Sequence, residues 1–439
     1  MTGLLDFRIE WLDAPGVTTP ELAATWARYE ISAGGRPVTQ VEAADGTYRR
    51  GVYGSLYPLA FWIASNWWSL TYHMRPTAVD GNLWNWQYIR TQPWLRQHNF
   101  RAAGDGMAWP NLTIVPEGPV TQVTWRQDYE SSSGLVRFAS DGRQWLAGED
   151  LRTDLADIVG RVLDRLTEVG LQKTPLAEEW AGIASVDAGE QDFCRVAAQL
   201  GLDPYSIGDD LADGIIAVAD ALPPDLADDF FDSVTVSALR DAADWTLSAE
   251  SAAETAAASA AETIRAIQDS SSVRPANHMG QPGAERPWFT GWELARAIRR
   301  ELSVPDTDSF DMSPWVGIGH AHGSSYGIYG LAAVAEDRCG VVLGDPHASP
   351  TARRFGQARA LGRILTRPGQ HQFVLSTAGS QDERVARAFA AELLAPAAGI
   401  RSALDDIGSD SDDALDSVAA HFDVSPLLIR HQHQNQLSS

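Results

Sequence analysis

Residues 352–365 read ARRFGQARALGRIL and residues 383–396 read ERVARAFAAELLAP. Both read as helices, separated by a Gly- and Gln-containing connection. Before them come GWELARAIRRELSV (291–304), an amphipathic helix, and two strand-like runs, SSYGIYGLAAVAE (324–336) and RCGVVLGD (338–345). After them comes the helical DSVAAHFDVSPLLIRHQHQ (416–434). Helix, two strands and three helices predict a self-contained domain over 288–439 that mixes both element types.

Immediately upstream, SSSVRPANHMGQPGAERP (270–287) concentrates Ser, Pro and Gly and reads as a linker. The stretch SAESAAETAAASAAETIRAIQD (248–269) is Ala-rich with spaced Glu, which predicts a long exposed helix acting as a spacer. Between 149 and 269 the apolar residues recur at three- and four-residue spacing, so this region is expected to be a helical bundle. Within it, residues 190–215 have the outline of a helix-turn-helix, but the second helix carries Asp209, Asp210 and Asp213 where a DNA reader needs cations. A plain helical hairpin is the better reading.

Residues 1–148 alternate short apolar runs with Gly, Pro and Asp turns, as strands and hairpins do, around one apolar helix at 56–73. Trp11, Trp26, Trp62, Trp67, Trp68, Trp84, Trp86, Trp94, Trp109, Trp125 and Trp145 all fall here. Large aromatics pack before they do anything else, so an aromatic-filled α/β core is favoured over a stacking surface. The expected class is therefore an α+β multidomain chain: a Trp-rich α/β module at 1–148, a helical middle bundle at 149–269, a linker at 270–287 and a last domain at 288–439.

Bulk properties narrow the function. The chain has 439 residues, 44% of them hydrophobic, which supplies material for several cores. A formal net charge of -24 disfavours nucleic acid as a general partner. Lys173 is the only lysine. Cys194 and Cys339 are the only cysteines and form no CxxC pair, which fits a reducing cytoplasm and argues against a disulfide framework or thiolate zinc site. The N-terminus lacks signal-peptide order, and no apolar run approaches the ~20 residues of a membrane span. Walker, dinucleotide and nucleophile-elbow motifs are missing, so neither a nucleotide nor any other cofactor is expected.

The order and wording of the last domain resemble the ImmA/IrrE family of bacterial zinc metallopeptidases. In that family the first word is approximately RFTLAHELGHLL and the second ExxAxxFAxxLLxP, and a VS turn follows. Here Arg354, Phe355, Ala358, Leu361, Gly362 and Leu365 match the first word, Glu383, Ala386, Phe389, Ala390, Leu393, Leu394 and Pro396 the second, and Val424 with Ser425 the turn. The resemblance implies a degenerate zincin-like domain, because the departures fall on the chemistry. HExxH puts two imidazoles on one helix face with a carboxylate base between them. The aligned residues are Arg359, Ala360 and Arg363, and only Glu383, matching the third ligand, survives. A guanidinium has no lone pair to give a metal.

Two expectations for the arginines stand side by side. Either Arg359, Arg363 and Glu383 form a charge cluster that fills the former metal site, or both arginines simply face solvent. His320 and His322 alternate on a candidate strand and, with Glu383, would make three ligands, yet GIGHAHGSSYG (317–327) reads more readily as loop. Asp345 and His347 read as turn residues, His431 and His433 as a solvated tail, and Asp405, Asp406, Asp412 and Asp413 as an acidic loop.

No metal and no catalytic residue is therefore expected. The resemblance implies a cytoplasmic bacterial pseudopeptidase that recognises a partner protein, such as a helix-turn-helix regulator or complex subunit in mobile-element or phage-defence circuits, without cutting it. The competing expectation is a nucleic-acid-associated regulator using the Trp-rich module and the clusters Arg49/Arg50 and Arg353/Arg354.

Overall fold

The computed structural model describes residues 4–14, 16–43, 46–76, 89, 91–128, 136–256, 261–269, 287–335 and 338–437. Trp84, Trp86 and the expected linker up to residue 286 lie outside them. The architecture is mixed α/β with several small sheets. Among the described residues, no helix is long and apolar enough to cross a membrane. The chain divides into two units between Gly208 and Asp209.

In the first unit, β1 (Leu5–Trp11) pairs antiparallel with β2 (Trp26–Ala33), which also pairs with β3 (Arg36–Pro37) and β6 (Val52–Ser55). Along β2 burial alternates, with Ala27, Tyr29, Ile31 and Ala33 on the inner face, as a half-buried strand requires. A second antiparallel sheet joins β7 (Asn111–Pro116), β8 (Val120–Arg126) and β10 (Gly142–Ala147), and a third joins β4 (Val41–Ala43), β5 (Tyr48–Arg49) and β9 (Val136–Phe138). Helices α1 (Pro20–Ala24), α2 (Tyr57–Ser65), α3 (Trp67–Tyr72) and α4 (Pro93–His98) lie along the chain between strands. Then α5 (Gly148–Glu168) presents Leu151, Leu155, Ile158, Val159, Val162 and Leu166 to the core the strands build. Trp62, Trp68, Trp94, Trp109, Trp125 and Trp145 are buried, so most of the described tryptophans of this unit pack.

The same unit pairs the buried His98 with the half-buried His73. His98 stacks on Trp94 at 4.0 Å between ring centres, and its Nδ1 and Nε2 lie 2.7 Å and 2.9 Å from the carbonyls of Trp94 and Ser69. Burial, with repulsion from His73 added, takes the His98 pKa down to about 3, and burial takes His73 down to about 4. In the window between these values and the ordinary 6.5 the unfolded chain binds protons that the folded chain refuses. The stability is therefore complete above that window and lost as the pH falls through it. At pH 5 the loss should be about 2 kcal/mol per histidine, read as a falling urea midpoint in tryptophan emission. A midpoint unchanged from pH 7 to pH 5 would refute this.

The helices expected as one middle bundle are shared between the units. α5, α6 (Pro175–Ser185) and α7 (Ala188–Gln199) belong to the first, while α8 (Asp209–Ala221), α9 (Pro224–Phe231), α10 (Leu239–Glu254) and α11 (Ala261–Asp269) belong to the second. The two helices of the expected hairpin at 190–215 thus fall in different units. Helical periodicity reports an apolar face but not what covers it.

The second unit is built on a four-stranded sheet in the order β11 (Gly317–Gly319), β13 (Cys339–Leu343), β12 (Gly330–Val334) and β14 (Gln372–Leu375). β11 runs parallel to β13, and the other pairs are antiparallel. One face carries α10. Here a Cβ on Gly340 would sit 2.0 Å from the Ala253 carbonyl oxygen, so only glycine lets the helix approach this closely. Ala249 and Ala253 are fully buried, so residues 248–254 of the Ala-rich stretch expected as an exposed spacer are a core element, and residues 257–260 of it lie outside the described residues. Alanine's propensity makes the helix, and its small side chain makes the contact.

The opposite face carries α13 (Pro350–Thr366), packed against α14 (Gln381–Leu394). α12 (Pro287–Glu301) lies on α14, where a Cβ on Gly291 would meet the Val385 carbonyl oxygen at 2.4 Å. The remaining helices are α15 (Ala397–Ile407), α16 (Asp412–Phe422) and α17 (Pro426–Gln432). Asp405, Asp406, Asp412 and Asp413 sit on α15 and α16, not in a loop, and Asp412 and Asp413 occupy the favourable first turn of α16. The chain end expected as a solvated tail is mixed: His431 is exposed, His433 is half-buried, and the neighbouring glutamines are held. Gln432 and Gln436 donate to the buried Glu392 carboxylate at 3.0 Å and 2.8 Å.

Candidate functional site: a buried ion-pair cluster and its groove

Two short segments fix the geometry. Ser349 caps α13 by accepting from Ala352 N, with Pro350 following, and Ser380 caps α14 by accepting from Glu383 N at 3.2 Å. Glu383 therefore sits in the first turn of α14, where the helix dipole favours a carboxylate. Its Oε1 accepts from Ser376 N at 2.9 Å, just after β14, and its Oε2 accepts from Arg359 Nη2.

Arg359 is 2% exposed. Nη2 also donates to the Ser376 carbonyl at 2.7 Å, and the guanidinium carbon lies 4.2 Å from the centre of the Tyr329 ring. Burial raises the Tyr329 pKa, and Arg359 pulls against that. One helical turn on, Arg363 is 1% exposed. Its Nη2 lies 2.5 Å from Asp229 Oδ2 on α9, and its Nη1 lies 3.1 Å from Asp382 Oδ2. Arg367 closes the chain of charges with Nε and Nη2 at 3.0 Å and 2.6 Å from the same Asp382 oxygen.

The balance of burial and charge differs across the cluster. Burial works against the Arg363 cation, but Asp229, Asp382 and Glu383 outweigh it and hold its pKa above the ordinary arginine value. Burial pushes Asp229 up to about 6 against the pull of Arg363, with Asp382 and Glu383 adding repulsion.

Arg359 and Glu383 thus lie together, and neither Arg359 nor Arg363 faces solvent. Arg363 turns to Asp382 and Asp229 for its contacts. Asp382 adjoins Glu383 in sequence, so its presence was open to inspection. Asp229 lies 134 positions from Arg363 and carried no local signal.

The donor set does not fit zinc. Arg359 and Arg363 have no lone pair to offer, both Glu383 oxygens are already accepting, and Ala360 brings no base. His320 and His322 are exposed beyond β11 and line a cavity of about 260 Å³ with Asp345 and Arg353, away from Glu383. Asp345 accepts from His347 N at 2.8 Å, a side-chain-closed turn. Among the described residues, no group of three or more His, Cys, Asp or Glu is placed to hold a metal ion.

Beside the cluster runs an open groove of about 750 Å³. Arg384, Arg387, Ala388 and Ala391 form its floor from one face of α14, Trp288 and Trp292 of α12 line it, and Leu427, Leu428 and His431 come from α17. Tyr329 lines it too, so the ring that stacks on Arg359 links cluster and groove. The basic pair Arg353/Arg354 is not a free patch: Arg354 donates to Phe422 O, Ser309 Oγ and Phe310 O at 2.9 Å, 3.0 Å and 2.7 Å.

A scan against models of known protein families gives no match for this chain, and neither does a search of curated proteins.

Proposed function

We propose that residues 288–439 are a degenerate ImmA/IrrE-like, zincin-like domain in which an arginine–carboxylate lock stands where the metal would be. The chain then acts as a bacterial, cytoplasmic pseudopeptidase that binds a partner protein as a sensing, scaffolding or regulatory component. The observation that carries the reading is the pairing of Arg359 with Glu383: residues at the first and third ligand positions of the resembling family meet in a buried ion pair. Loss of ligands alone would leave a hole or a solvated surface. Here the side chains are paired and tied to the end of β14 through Ser376, which supports a reading in which shape is kept without hydrolysis. By analogy with the family, the partner is a regulatory protein such as a helix-turn-helix factor, in mobile-element or phage-defence circuits.

The test is metal content. Purified chain equilibrated with zinc should retain far less than one zinc per chain by elemental analysis, and one tightly held zinc per chain would sink the reading. The reversion Arg359→His, Ala360→Glu, Arg363→His puts two imidazoles one turn apart opposite Glu383 and should gain about one zinc. If the revertant has native circular dichroism and stays metal-free, the family assignment fails.

A further inference from the structure

We infer that the groove between α12, α14 and α17 docks an acidic, apolar peptide segment of a partner protein. This rests on the reading above, that the domain binds without cutting, and supplies the chemistry of what it binds.

Charge complementarity carries the argument. The chain is strongly acidic at -24, yet the residues lining this groove include Arg384, Arg387 and His431 and, among the described residues, no Asp or Glu. Arg387 donates to the Ala378 carbonyl at 3.1 Å and reaches that of Ser376 at 3.5 Å, while Glu383 lies 4.0 Å from it. That carboxylate is already engaged by Arg359 and Ser376 N. Burial lowers the Arg387 pKa, Glu383 works against this, and Arg359 and Arg384 add repulsion. A cation in this setting is under-compensated, and an incoming carboxylate would relieve it through a charge-assisted hydrogen bond.

The rest of the lining selects for apolar side chains beside that carboxylate. Trp288, Trp292, Phe355 and Leu428 line the groove, and Leu427 is 60% exposed, large for a leucine in a folded chain. The volume of about 750 Å³ has room for a few side chains, and the groove is open along the α14 face. Residues 384, 387, 388 and 391 recur at helical spacing, so an extended segment or a helix lying alongside meets arginines at one end and alanines at the other.

The experiment uses the full chain and two dye-labelled hexapeptides, one alternating glutamate with leucine and one alternating lysine with leucine, read by fluorescence anisotropy. The glutamate peptide should bind at least tenfold more tightly than the lysine peptide. Arg387→Gln and Leu427→Asp should each weaken it about tenfold while leaving the circular dichroism unchanged. No binding of the glutamate peptide, equal binding of both peptides, or indifference to both substitutions would overturn the proposal. Metal content reports separately on the pseudopeptidase reading: a chain that holds zinc yet takes the acidic peptide loses that reading and keeps this groove, and the opposite result does the reverse.

Discussion

Replacing Glu383 with leucine should destabilise the second unit by about 3–5 kcal/mol, the usual consequence of stripping one partner from a buried ion pair. Arg359 is 2% exposed, and arginine does not escape by losing its proton, so the cation stays buried beside the Ser376 carbonyl and the Tyr329 ring with its carboxylate partner gone. The substitution also orphans Ser376 N, whose acceptor is Glu383 Oε1. Removing both charges is a different matter. Arg359→Met combined with Glu383→Leu removes the buried cation along with its partner and should regain part of the loss, because the attraction within a buried pair largely offsets its desolvation, while Arg387 still loses its nearby carboxylate and Ser376 N its acceptor. Urea unfolding followed by near-ultraviolet circular dichroism gives all corners of the cycle. A loss under about 1 kcal/mol for Glu383→Leu, or a double variant no better than the sum of the singles, would show that the pair is not coupled as the geometry says.

Gly340→Val should cost about 3 kcal/mol by a separate route, overpacking against backbone. The new Cβ would lie 2.0 Å from the Ala253 carbonyl oxygen and 2.6 Å from Ala256 Cβ, and a helix carbonyl cannot swing away as a flexible side chain can. β13 is an inner strand of the sheet, so it cannot retreat without breaking pairs to β11 and β12. The helix must give way. The expected readout is a melting temperature lower by roughly 6–12 °C, with new protease cuts around α10. A variant that melts like the parent would mean that the helix does not pack on the strand as described.

Both predictions bear on how far the sequence could be read. Elements with their own periodicity were legible: β2 alternates, α5 repeats every three to four residues, and residues 350–366 and 381–394 are helical. What covers each face was not. SAESAAE looks the same whether it spans water or lies on a glycine-floored sheet, because alanine favours the helix in both settings. The information lay in Gly319 and Gly340, distant residues that make sense only once the helix is set beside them. The cluster was legible in the same partial way. Arg359, Arg363 and Glu383 could be picked out through the family resemblance, but the anion that meets Arg363 from α9 could not, since nothing marks one of the three aspartates in PDLADDFF.

The division at Gly208 has a consequence for heredity. The Ser- and Pro-rich stretch at 270–287 is where a recombination event would seem harmless, and where an experimenter would cut to isolate the last third. A piece starting at Trp288 would leave behind the helix whose carbonyls meet Gly319 and Gly340, baring a smooth strip of sheet open to self-association. It would also part Arg363 from Asp229. The last third is therefore no cassette to be swapped between genes: what must travel together, to keep the sheet covered and its charges matched, includes residues 209–254.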